Sequence, residues 1–64
     1  MVDFIKLCKI IVDKNGAITV KDVLECGYDI IHFTRITQKT MSAERLVKNA
    51  KQALLDRGIY YKGN

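Results

Sequence analysis

The stretch 19–40, TVKDVLECGYDIIHFTRITQKT, decides the fold. Thr19 is an N-cap residue with Asp22 three positions on, the spacing at which each side chain satisfies the other's free backbone N–H, so a short helix over 20–26 is expected. Ile18 can staple onto Val23. Gly27 stops the helix, because a residue without a Cβ enters the left-handed region freely, and Tyr28 can pack back onto Val23. Asp29 opens the next helix, over 30–40. There Ile30, Phe33 and Ile36 form a narrow apolar face, with Thr34, Arg35, Gln38 and Lys39 on the polar side. Two short helices around a glycine corner bury little by themselves, so the flanks must supply the rest of the core.

They do so with two longer helices. Upstream, Asp3 caps a helix over 3–14 in which Phe4, Leu7, Cys8 and Ile11 recur at i, i+3, i+4 and i+7, and Asn15-Gly16 ends it. Ile5, Ile10 and Val12 lie off that face, which places this helix either centrally in the core or at an interface. Downstream, Met41-Ser42 offers a staple and cap for a helix over 43–57, where Ala43, Leu46, Val47, Ala50, Ala53 and Leu54 follow helical spacing. Gly58 is its stop, Ile59 can reach back to Leu54, and Tyr60-Tyr61 form a short extended end whose one plausible strand partner is Ala17-Ile18. The expected architecture is all-α: a single compact four-helix domain over 1–64, with a minimal β-bridge at the C-terminal end.

Size and composition exclude much. With 64 residues, four Gly and no Pro, the chain makes one small domain with a thin core, too small for a deep active site. No run approaches the roughly 18 apolar residues of a membrane span, and Met1-Val2-Asp3 lacks the basic start of a signal peptide, so a cytoplasmic protein without a membrane partner is expected. Cys8 and Cys26 have neither metal-ligand nor redox-pair spacing and read as small buried hydrophobes. His32 has no second nitrogen ligand near it in sequence, and no nucleophile, acid–base pair or Gly-rich phosphate loop is present. Neither a metal, a cofactor nor an enzymatic activity is expected. Charge is more informative: residues 1–32 hold four Lys against five acids, and residues 33–64 hold seven Lys or Arg against two acids. A positive field confined to one half suits a polyanionic partner.

The 19–40 segment resembles the helix-turn-helix of many DNA-binding domains. Gly27 stands in the turn, Cys26 and Tyr28 flank it, and Phe33 and Ile36 stand where that family locks its second helix to the first. Two positions depart from the pattern, Val23 where a small residue is usual and Asp22 where an apolar one is usual. The resemblance covers about a third of the chain. It implies that helix 3 presents His32, Thr34, Arg35, Gln38 and Lys39 to a major groove, with Arg35 and Gln38 as base readers and Lys39 on phosphate. The acids Asp22, Glu25 and Asp29 around the turn oppose that pose.

Helix 4 offers a competing surface. Arg45, Lys48, Lys51 and Gln52 line the side opposite its apolar stripe, and beyond them Arg57, Tyr60, Tyr61 and Lys62 interleave cations with rings that could stack on unpaired bases. Short length, the basic C-terminal half and frequent Lys, Ile and Asn are similar to small helix-turn-helix proteins of phages, plasmids and other mobile elements. That resemblance implies a DNA-binding protein acting in DNA replication or transcription control, on single- or double-stranded DNA. Two other readings compete with it: an accessory subunit of a larger replication enzyme such as a mobile-element polymerase or primase, and a homodimeric module without nucleic acid. For both, Ile5, Ile10 and Val12 of the first helix are the expected protein contacts, and Ile31 is a further one for the accessory subunit.

Overall fold

A computed structural model describes residues 1–39 and 42–63. Four helices follow in order, α1 (Phe4–Asp13), α2 (Val20–Glu25), α3 (Ile30–Lys39) and α4 (Ala43–Asp56). Thr40, Met41, Asn64 and the side chain of Lys39 lie outside the described residues, and with them the last residue expected of α3, the staple expected of Met41 and the phosphate contact expected of Lys39.

Each helix begins on a side chain that accepts from a free backbone N–H. Asp3 accepts from Lys6 at 3.0 Å, Asp29 from His32 at 2.9 Å and Ser42 from Arg45 at 3.2 Å. The capping box of α2 is complete: Thr19 Oγ1 accepts from Asp22 N at 3.3 Å, and Asp22 Oδ2 accepts from Thr19 N at 2.9 Å. The stops follow one pattern. Tyr28 N donates to Val23 O at 3.1 Å past Gly27, and Ile59 N donates to Leu54 O at 2.9 Å past Gly58. Both glycines are left-handed, at φ 88° and 76°. At the end of α1 both Asn15 and Gly16 are left-handed, at φ 52° and 85°, and Gly16 N donates to Ile11 O at 2.8 Å.

The core lies mainly between α1 and α4, with α2 across one end. Leu7, Cys8, Ile11, Val12, Val23, Cys26, Leu46, Ala50 and Leu54 are buried in one cluster. A bond from Asp3 N to Cys26 O at 2.8 Å ties the start of α1 to the end of α2. The α3 helix packs on α2 and stands away from the rest: among the described residues no Cα of α3 lies within 8 Å of a Cα in α1 or α4. Phe33 and Ile36 reach the core edge as half-buried side chains, leaving a cleft of about 170 Å³ walled by Leu7, Cys8, Ile11, Leu46 and Ala50. Ile30, expected on the core stripe, is 59% exposed because α3 stands apart from α1 and α4, where the core lies.

The tail supplies two corrections. Among the described residues no strand or bridge forms, so the expected pairing with Ala17-Ile18 is absent. Instead the tail folds back across α1, where Tyr61 Oη donates to both carboxylate oxygens of Asp13 at 2.7 Å and Gly63 lies against Val12 Cγ1. Val12 is therefore buried and cannot serve as a protein contact in this conformation, and Ile10 is half-buried against the core. Ile5 and Ile31 remain on the surface.

Asp22 occupies the inside position that its place in the corner demands. It is 8% exposed, and its charge is met by Lys14 Nζ at 2.8 and 2.6 Å, the one ion pair among the described residues. Chiefly this Lys14 contact, helped by the Thr19 N–H and hydroxyl, holds the carboxyl below its ordinary value of 3.8 against the opposing effect of burial. The folded chain thus binds fewer protons than the unfolded one at acid pH. The contribution is complete above the ordinary value and fades as pH falls through the lower folded one. Asp22→Asn should cost about 1–2 kcal/mol at neutral pH, with the half-exposed lysine limiting the loss. It should also flatten the fall of Tm below about pH 4, which thermal unfolding across an acid pH series would register.

Candidate nucleic-acid interface

The α4 helix carries Leu46, Ala50 and Leu54 inward and a row of cations outward. Arg45, Lys48 and Lys51 are all exposed, and among the described residues no carboxylate pairs with them. Three shallow depressions run along this face and share walls. The first is formed by Ser42, Glu44, Arg45, Lys48 and Asn49, and the second by Glu44, Val47, Lys48, Lys51, Gln52 and Leu55. The third is formed by Lys51, Leu55, Tyr60, Tyr61 and Lys62. The result is a continuous strip from Arg45 to Lys62. Glu44 is the carboxylate that lines it, while Asp56 nearby accepts from Gln52 Nε2 at 2.9 Å.

The tail residues divide into anchors and free groups. Tyr61 is half-buried, with its hydroxyl on Asp13 and the Lys9 ammonium 5.5 Å from its ring centre. The hydrogen bond to Asp13 is the main reason its phenol is pushed up from the ordinary range. An edge-anchored ring of this kind is not the open stacking surface expected of Tyr61. Arg57 is likewise engaged: its guanidinium lies 4.4 Å over the Phe4 ring and donates to Ala53 O at 3.0 Å. Its charge still adds to the local field, but its donors are partly used. Tyr60 is the opposite case, 82% exposed. Leu55, which the sequence reading left out, is 51% exposed and forms an apolar part of the same strip. The signal for it was present in the Leu54-Leu55 pair, since neighbouring helical residues sit about 100° apart and only one can face the core.

The α3 surface is less suited to phosphate. Arg35 and Gln38 are exposed as expected, and Thr34 and Thr37 hydroxyls turn back to donate to the carbonyls of Ile30 and Phe33 at 3.0 Å. Helix-turn-helix recognition helices meet base edges with their N-terminal residues. In this chain that end presents Ile30 and Ile31, at 59% and 61% exposure, behind the Asp29 carboxylate. His32, one turn in, stacks on Tyr28 with ring centres 4.2 Å apart and is not turned outward as a reader. Val2, Leu24, Ile31 and Arg35 instead border an open depression of about 560 Å³ over the corner.

Both thiols are buried, and burial raises their pKa values. A buried thiol pushed up in this way is a poor nucleophile. Among the described residues no group of three or more His, Cys, Asp or Glu side chains is placed to hold a metal ion, and no helix is long and apolar enough to cross a membrane. Compared with protein-family models, curated proteins and solved structures, the chain matches none.

Proposed function

We propose that this chain is a small nucleic-acid-binding module, and that its contact surface is the basic strip of α4 with the tail rather than the corner helix α3. The observation that carries this reading is the run of exposed cations Arg45, Lys48 and Lys51, unpaired among the described residues and continuous through Leu55 with Tyr60 and Lys62. A row of ammonium and guanidinium groups along one helix face tracks a phosphate backbone, releases counterions and reads no sequence. Such a module belongs with proteins that handle DNA during replication or transcription control, the setting that the helix-turn-helix resemblance implies, mobile elements included.

Fluorescence anisotropy with labelled oligonucleotides tests it. Lys48→Ala and Lys51→Ala should each weaken binding on every sequence alike and lower the slope of log affinity against log salt by about one. Arg35→Ala should change neither sequence preference nor slope to that degree. Absence of binding to any oligonucleotide at low salt would sink this reading.

A second reading, an accessory subunit that docks on a larger replication enzyme, is favoured by a different observation. Val2, Leu24 and Ile31 are each more than half exposed around the depression over the corner. Grouped aliphatic side chains of that kind suit a protein contact whose affinity changes little with salt.

A further inference from the structure

We propose that the depression formed by Lys51, Leu55, Tyr60, Tyr61 and Lys62 is a subsite for one unpaired nucleobase and its phosphate, so that the strip takes single-stranded nucleic acid in preference to duplex. This inference rests on the nucleic-acid reading of the strip and adds to it a class of substrate.

The tail geometry carries it. Ile59 is drawn inward, its N–H bonded to Leu54 O at 2.9 Å and its side chain packed at the core edge. Tyr61 is drawn inward too, by its hydroxyl on Asp13. Ile59 and Tyr61 are half-buried, and the residue between these two anchored neighbours is turned out to solvent at 82% exposure. Tyr60 is that residue. Its neighbours are held on both sides, so less backbone freedom remains to be lost when a base stacks on its ring.

The surroundings fit one nucleotide. The depression measures about 170 Å³, on the scale of the roughly 150 Å³ cavity that holds a benzene ring. Leu55 gives an apolar floor beside Tyr60, and Lys51 and Lys62 supply ammonium groups for the phosphate. In a duplex the base faces are already stacked and paired, so only the cations of the strip would be engaged. A single strand would engage the cations and the ring together.

The test compares an oligothymidylate of about 12 nucleotides with its duplex of the same length and with an abasic oligomer of the same charge. The single strand should bind most tightly, and Tyr60→Ala should weaken it by about 5- to 150-fold, leaving the duplex and the abasic oligomer unaffected. The chain has no Trp, so Tyr60→Trp places a lone indole at the subsite. It should retain single-strand affinity and lose fluorescence as the oligothymidylate binds. Circular dichroism on both variants should match the parent chain. Equal affinity for single strand and duplex with no effect of Tyr60→Ala would overturn the subsite and leave the strip intact as a phosphate tracker. Failure of all three oligomers to bind at low salt would overturn the strip and the subsite together.

Discussion

Leu54→Ala should leave most of the chain unfolded at room temperature, while Leu55→Ala one position away should be nearly silent. Leu54 is 1% exposed within the buried core cluster, and Leu55 is 51% exposed on the strip. Truncating a buried leucine removes its transfer free energy and leaves a cavity, a loss of about 2–5 kcal/mol. A domain of this length rarely has more than about 3–5 kcal/mol in total. Surface truncation costs within about 0.5 kcal/mol. Urea unfolding followed by circular dichroism separates the two variants, and equal midpoints would mean that α4 is rotated from the phase described above.

The second large effect is expected at the first turn. Gly16 sits at φ 85°, and a Cβ built there would stand 2.6 Å from Ala43 O and 2.8 Å from Ala43 Cα. These are backbone atoms at the start of α4, which cannot swing aside as a side chain could. Gly16→Ala therefore combines left-handed strain with displacement of a helix end, together about 2–4 kcal/mol. Gly58→Ala isolates the strain alone, since nothing lies within 4 Å of a Cβ there, and should cost about 1 kcal/mol. Thermal unfolding of both variants gives the comparison. A Gly16→Ala chain as stable as Gly58→Ala would mean that the 15–17 turn does not abut the start of α4.

Helix starts and stops were legible because they are written within a few residues of each boundary. Asp3, Thr19 and Ser42 cap where their types and spacing place them, and Gly27 and Gly58 take the left-handed stop. The buried stripe of α4 was legible for the same reason, with Leu46, Ala50 and Leu54 recurring at one helical interval. Contacts between distant parts of the chain were not. Val12 is inside because the tail lies over it, and Tyr61 is an anchor because Asp13, 48 residues away in sequence, accepts its hydroxyl. Neither follows from local pattern. The exposure of Ile30 likewise depends on how far α3 stands from α1, a distance that no periodicity encodes. Of the strip, the cations were readable from their three-residue interval. The division of the two tyrosines into one anchor and one free ring came only with the folded tail.

The separation of α3 from α1 and α4 also ranks the helices by how easily each opens. Detaching α3 exposes the half-buried Phe33 and Ile36, whereas parting α1 from α4 exposes Leu7, Ile11 and Leu54 at once. Sub-global opening is thus expected first in α3, and hydrogen exchange should find the α4 amides protected until the whole chain unfolds. A ligand of the proposed strip would meet the helix that opens last. A partner that grips Ile31 and Arg35 meets a helix it must first quieten, and its affinity carries that loss of motion.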